Sequence, residues 1–394
     1  MVNEWPATAL SHVATISSGK RPLHVVKEPT SSCDVPVIGG GGPSGFTDSA
    51  ICEDGVLVTG RVGTLGKLFA PSGPCWPSDN TLVIRPRSVG TDVRYLRYAV
   101  QHVIAKAAEM NRGAANPLIT QRDLGSLAVI WPALDAQRAI AHILGTLDDK
   151  IETNGRMSET LEAMARALFK SWFIDFAPVR AKAEGRAPGL PKPLADLFPS
   201  RLVDSELGEI PDGWAVASLT DAMQITDGRT LAAHAQDRSG RFSVFGANGA
   251  IARAAEAWVD SPCIVLGKIG TCGALHRAPS PCWVTNNAFA IRAGYSRSLE
   301  FAWHTLKSID FSNYIGGSAN PYMPLKNFGH HQVVLPPLAL LERFEAVAAG
   351  LRNRIDSADV MSSGLTVLRD ALLPKLLLGD LRIEDAERFI GRIA

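Results

Sequence analysis

The chain carries almost no net charge: 40 lysines and arginines stand against 39 aspartates and glutamates, +1 overall. Binding of nucleic acid through bulk positive charge is excluded, so local arrangement has to decide what is bound. No run of eighteen or more apolar residues occurs, so no membrane helix is expected. Met1-Val2-Asn3-Glu4-Trp5 lacks the basic-then-apolar pattern of a secretory signal, and a cytoplasmic protein is expected. The six cysteines (Cys33, Cys52, Cys75, Cys263, Cys272 and Cys282) form no C-x-x-C pair and have no histidine at ligand spacing. Neither a zinc site nor a disulfide framework is expected, only reduced and mostly buried thiols. With 394 residues, 46% hydrophobic and 20% charged, the chain can bury two or three separate cores.

What the sequence does have is a repeat. Gly60-Arg61-Val62-Gly63-Thr64-Leu65-Gly66 returns 207 positions later as Gly267-Lys268-Ile269-Gly270-Thr271-Cys272-Gly273, and Pro74-Cys75-Trp76 returns at the same offset as Pro281-Cys282-Trp283. Val37-Ile38-Gly39 and Gly42 meet Val244-Phe245-Gly246 and Gly249; Gly113-Ala114-Ala115-Asn116-Pro117 meets Gly317-Ser318-Ala319-Asn320-Pro321 after a short indel. A unit of this length is a duplicated domain, not a solenoid repeat.

Each copy has one internal order. Short β-rich runs come first: Val56-Leu57-Val58 and Thr81-Leu82-Val83-Ile84 in copy one, Cys263-Ile264-Val265-Leu266 and Ala288-Phe289-Ala290-Ile291 in copy two. The β part closes on Leu127 to Pro132 and on Gln332 to Pro337, where proline forbids the strand to continue. A long helix follows. Ile140, Leu147, Asn154, Leu161 and Leu168 recur every seven residues, and Phe344, Leu351, Ala358, Leu365 and Leu372 do the same. Ile143, Met157 and Met164, and Val347, Met361 and Leu368, fill the intervening d-type positions. A long helix with one apolar stripe needs a partner, and its duplicate is the obvious one.

The expected architecture is α+β: two duplicated globular domains separated by two long helices in an antiparallel coiled coil, with pseudo-two-fold symmetry. The expected boundaries are 1–135 for the first domain, 136–175 for its helix, 176–204 for an extended Pro-rich linker, 205–337 for the second domain, 338–378 for its helix and 379–394 for a tail. Two similar domains on a rod of fixed length would act as a caliper, and double-stranded DNA has matching symmetry. Lengthening both helices by one heptad is then expected to widen the gap between half-sites by about three base pairs. Candidate contacts are Lys20 and Arg21 with their counterpart Arg229, Gly41 and Asn248 in the glycine turns, Arg61, Thr64, Lys67, Lys268 and Thr271 in the repeated glycine loop, and the coincident Asn80 and Asn287. Arg, Lys and Asn can read base edges, while loop amides and hydroxyls grip phosphates.

The run Gln137-Arg138-Ala139-Ile140 through Leu147-Asp148-Asp149-Lys150-Ile151-Glu152-Thr153-Asn154, with Leu161 to Phe173 and the following Phe176-Ala177-Pro178-Val179-Arg180-Ala181-Lys182, resembles the central helix of DNA specificity subunits of type I restriction-modification systems. Leu207-Gly208-Glu209-Ile210-Pro211-Asp212-Gly213-Trp214 is similar to the start of their second target recognition domain. The resemblance implies two target recognition domains and an antiparallel coiled coil. It implies two docked methyltransferase subunits, which a translocating endonuclease subunit can join. S-adenosylmethionine, ATP and Mg are then expected in those partner subunits, with no cofactor or metal in this chain.

A catalytic role fits the residues less well. Asn320-Pro321-Tyr322-Met323 is close to the Asn-Pro-Pro-Tyr motif of amino-methyltransferases but lacks the second proline, and copy one has Asn116-Pro117-Leu118. Gly66-Lys67 is followed by Leu68, so the glycine loop is not a P-loop. His330-His331 has no counterpart in copy one. A non-catalytic DNA-recognition subunit is therefore expected. The alternatives are a coiled-coil protein scaffold without DNA contact and a self-sufficient methyltransferase.

Overall fold

The computed structural model describes residues 5–62, 65–87, 91–110, 118–232, 239–294, 297–317 and 320–391. Thr64 and the segments Gly113 to Pro117 and Ser318-Ala319 of the repeat lie outside them. The chain divides into two compact units, Met1–Gly155 with Asp359–Ala394, and Arg156–Ala358. The division falls inside both long helices, so each unit holds one globular domain and a segment of each helix.

In the first unit a four-stranded antiparallel sheet orders Ala14–Ser18, Thr81–Pro86, Leu57–Gly60 and Leu68–Phe69. Leu57–Gly60 is buried throughout, which is why its run of apolar residues does not alternate. A second sheet pairs Val35–Gly39 antiparallel with Gly42–Thr47 and parallel with Trp76–Pro77. A two-stranded ribbon joins Ala7–Ala9 to Ala128–Ile130.

The second unit repeats this plan and adds an antiparallel ribbon of Leu202–Ser205 and Gly208–Pro211. Its four-stranded sheet orders Gln224–Asp227, Ala288–Arg292, Cys263–Gly267 and Leu275–Ala278. Its three-stranded sheet orders Gly249–Ala254, Phe242–Gly246 and Cys282–Val284, and its ribbon joins Ala215–Ser218 to Gln332–Leu335. Even the register irregularity recurs, between Val37 and Ile38 in one hairpin and between Val244 and Phe245 in the other. A bulge kept at the same position in both copies is a built feature of the fold.

The long helices are Leu134–Phe169, continued by a π-helical turn over Lys170–Ile174, and Leu338–Leu378. They run antiparallel within each unit. In the first, Asp148 meets Arg369 at 2.8 Å while Asn154, further along, meets Ser362 at 3.2 Å. In the second, Glu162 pairs with Arg352 at 3.8 Å, and Trp172 lies against Phe344 with ring centroids 6.0 Å apart. Gly145 sits mid-helix because a Cβ there would strike the Arg94 side chain, which crosses the helix to form a bidentate pair with Asp149. The second helix tolerates Pro374 close to its end and stops at Gly379, whose φ of 79° is the left-handed C-cap conformation.

The seam differs from the expected a/d stripe. The first positions behave as read: Ile140, Leu147, Asn154, Leu161, Phe344, Ala358, Leu365 and Leu372 are buried, and Leu168 and Leu351 are half-buried. Of the d-type positions Ile143 is buried and Leu368 half-buried, but Met157, Met164, Val347 and Met361 face outward, Met164 being 53% exposed. The second row of the seam lies four residues on: Leu144, Ala165 and Trp172, with Ala348, Ile355 and Leu376, are buried, and Ile151, Ser158 and Ser362 are partly so. On a helix, i+4 and i+3 flank position i on opposite sides. Polar Ser158, Ser362 and Arg369 disguise the i+4 row in the sequence, while the methionines advertise the wrong one.

The stretch read as an extended linker also differs. Residues 176–204 form short helices at Ala177–Ala183 and Lys192–Ala195, and Phe176, Val179 and Phe198 enter the aromatic core of the second unit with Trp172, Trp214 and Phe301. Phe176 is held at φ 51°, unusual for a residue with a Cβ, and packs edge-on to Trp214 at 5.6 Å. Its prolines start helices here; Pro178 and Pro193 occupy first-turn positions, where no amide is needed. The tail contains the helix Ile383–Ile390, whose Ala386 is buried in the first unit's core with Leu376 and Leu377.

Candidate nucleic-acid interface

Each domain gathers the same set of turns at the ends of its strands. Gly40-Gly41 caps the first hairpin and Ala247-Asn248 the second, with Gly41 and Asn248 exposed. The residues that follow, Gly42 at φ 123° and Gly249 at φ 92°, need glycine. The first tip lies against the glycine loop: a Cβ on Gly40 would be 3.3 Å from Gly60 Cα and 3.6 Å from the Asn80 carbonyl.

The glycine loops are tied down alike. Arg61 N–H donates to the Asn80 carbonyl at 2.9 Å; Lys268 and Ile269 N–H donate to the Asn287 carbonyl at 2.9 and 3.1 Å. Val62 bridges to Leu118 as Ile269 bridges to Tyr322. Asn80 and Asn287 are thus exposed turn residues whose backbones hold the loop and whose side chains point outward. Asn320-Pro321-Tyr322-Met323 is part of the same scaffold. Gly270 donates to Pro321 at 2.9 Å, and Met323 donates to Lys268 at 2.9 Å.

A third element is a turn anchored by tryptophan. Trp76 Nε1 donates to the Lys20 carbonyl at 2.6 Å, and Trp283 Nε1 donates to the Arg229 carbonyl at 3.0 Å. Lys20 N–H donates to Pro77 and Arg229 N–H to Val284, at 3.0 and 2.9 Å. These bonds pair Lys20 with Arg229 and leave Arg21 one residue further on, exposed. The sequence had shown Trp76 and Trp283 as repeated without revealing what they hold, because the indoles act across more than fifty residues.

The remaining candidates fall into two groups. Lys67 and Thr271 are exposed on the loops, and Arg61 is half-buried. Lys268 is sequestered: its side chain is 17% exposed, ion-paired to Asp227, and its ammonium lies 5.1 Å from the Phe289 ring centroid and 5.8 Å from that of Tyr322. Its charge is already neutralised, so it braces the loop and is not an open cation as its position suggested. Arg229 instead stacks on Trp258 at 4.6 Å.

The surroundings disfavour the thiolate at Cys52, Cys75 and Cys263. Burial pushes Cys75 up to about 11, and burial also raises Cys52 despite the Arg85 guanidinium 2.8 Å from its sulfur. A hydrogen bond to Cys282, reinforced by burial, holds Cys263 protonated. Among the described residues no group of three or more His, Cys, Asp or Glu side chains could hold a metal, and no helix is long and apolar enough to cross a membrane.

The family model for the type I restriction modification DNA specificity domain matches residues 3–163 and 211–341, one match for each copy. The chain belongs to this family. As a member it is a DNA-recognition component of a type I restriction-modification complex, a non-catalytic role. Among curated relatives, the type I restriction enzyme HindI specificity subunit of Haemophilus influenzae is 26% identical over 69% of this chain and 72% of its own. The MjaIX specificity subunit of Methanocaldococcus jannaschii is 22% identical over 97% and 94%. A crystal structure of a type I system S subunit from M. genitalium shares the fold, with a TM-score of 0.62 at 17% identity over 95% of this chain and 96% of that one.

Proposed function

We propose that the chain reads a bipartite, asymmetric DNA target with one domain per half-site, that it docks two methyltransferase subunits, and that translocating endonuclease subunits can join them. The observation that carries this is the pair of turn clusters: one loop framework, bulge included, displays different side chains in the two domains. Pro43 and Ser44 are exposed after the first tip where Ala250 and Ile251 are exposed after the second. A framework kept for docking on one kind of object, with divergent outward residues, suits two different base sequences.

In this reading the loops bearing Gly41, Arg61, Thr64, Lys67 and Asn80, and Asn248, Thr271 and Asn287, lie against the duplex, with Lys268 bracing the second loop from behind. S-adenosylmethionine, ATP and Mg belong to the partner subunits, and the complex works in the cytoplasm. Near-neutral charge fits a subunit that relies on partners for part of the phosphate attraction. The test is a graft: replacing 205–337 by a second copy of 1–135 should convert the methylated target into a symmetric one built from the first half-site twice. Retention of the original asymmetric target by the hybrid would overturn the one-domain-per-half-site reading.

A further inference from the structure

Two domains that read different bases must differ where they touch bases. Exposed residues that coincide in both domains therefore hold something both half-sites share. The tryptophan-anchored turn is such a place. Its cation is fixed at both ends of its own backbone unit: N–H to Pro77 or Val284, carbonyl to the indole of Trp76 or Trp283. The residue before it is glycine in both copies, because a Cβ on Gly19 or Gly228 would collide with the carbonyl oxygen of Ser78 or Thr285. The turn is thus pressed onto the sheet and presents an exposed Lys20 in one domain and, in the other, an exposed Arg229 whose guanidinium lies over the Trp258 ring at 4.6 Å. Neither has a carboxylate partner among the described residues, whereas Lys268 is paired with Asp227.

Resting on the DNA-reading function proposed above, we infer that this turn is a sequence-independent phosphate clamp. Lys20 and Arg229 each pair with a phosphodiester of the duplex, Trp76 and Trp283 are positioning residues that aim them, and base reading is left to the divergent hairpin faces at Pro43-Ser44 and Ala250-Ile251. A charge on a pinned backbone loses less freedom on binding than one on a loose loop, and lysine and arginine serve equally where only charge and reach matter. That is why the type differs between copies while the anchoring does not.

The test uses the full chain assembled with its methyltransferase subunits, binding target and scrambled duplexes across a salt series. Lys20→Ala and Arg229→Ala should each weaken both duplexes by the same factor, roughly fivefold at 0.15 M salt, and lower the salt slope by about 0.9, with the methylated motif unchanged. Lys20→Arg should retain binding, and Trp76→Phe, which keeps an aromatic ring but loses the indole N–H, should reproduce the Lys20→Ala salt slope in part. A changed motif would make the turn a base reader and overturn the clamp. Loss of assembly with an unaltered salt slope would make it a partner contact, with the same consequence. A wild-type complex that binds neither duplex would overturn the DNA-reading function itself, and the clamp with it.

Discussion

Truncating Leu161 and Met164 separates the two seams that the heptads allow. Both are large apolar side chains three residues apart on the same helix. Leu161 is 8% exposed and Met164 53%. Leu161→Ala removes a buried side chain from a helix interface and leaves a space that cannot fully collapse, costing about 2–3 kcal/mol. Met164→Ala removes atoms already largely in water, and alanine is the better helix former, so the cost is about 0.5 kcal/mol or less. For a unit of this size each kcal/mol lowers the melting temperature by roughly 2–4 °C. Leu161→Ala should therefore lower the second unit's transition by roughly 5–10 °C and Met164→Ala by about 1–2 °C. Calorimetry of the free chain, with near-ultraviolet circular dichroism to follow the Trp172, Trp214 and Trp303 cluster, reads both. Equal losses, or a larger loss for Met164, would refute the i+4 seam and restore the a/d reading.

Asn154 is buried and bonded to Ser362, a polar pair within the seam; Asn154→Leu should raise the first unit's melting temperature by a few degrees while relaxing the helix register, visible as broader unfolding. Arg369 joins Asp148 and Asp370, and Tyr98 Oη donates to Asp148 at 2.6 Å, so Arg369→Ala should cost about 2 kcal/mol by stranding a half-satisfied carboxylate, measured in the same scan. Burial holds the His304 pKa below its ordinary value, with the ring stacked on Phe169 at 5.4 Å. The unfolded chain then binds the proton more readily, so the stability this neutral ring contributes is present above the unfolded pKa near 6.5 and is lost as pH falls below it. Melting of the second unit should drop as pH falls below about 6.5, and His304→Phe should flatten that drop; an identical slope in the variant would contradict it. Lys268→Ala should lower the second unit's melting temperature, whereas Lys67→Ala should leave melting unchanged, because only Lys268 is clamped by Asp227 and two rings.

The duplication was readable because glycine loops and the Pro-Cys-Trp turn are backbone requirements, and such residues survive when side chains diverge. The strands at Leu57, Thr81, Cys263 and Ala288 and the paired helices followed from period and punctuation alone. What escaped were effects of contact across distant sequence. The choice between i+3 and i+4 depends on which side the partner helix lies, and Arg369 hides in that row by pairing with Asp148. The Pro-rich stretch looks solvated until Phe176 and Phe198 find Trp214 and Trp172. In the interface, Lys268 resembled Arg61 in the repeat, and only its packing on Phe289 and Tyr322 sets it apart.

If two domains of one framework read two different half-sites, the methylation pattern must carry both. Base-resolution mapping of methylation, in cells carrying this chain with its methyltransferase subunits, tests it most directly. The expected motif has two unlike specific parts separated by unspecified base pairs and is lost when either domain's loops are replaced. A single continuous motif, or one that survives removal of either domain's loops, would contradict it.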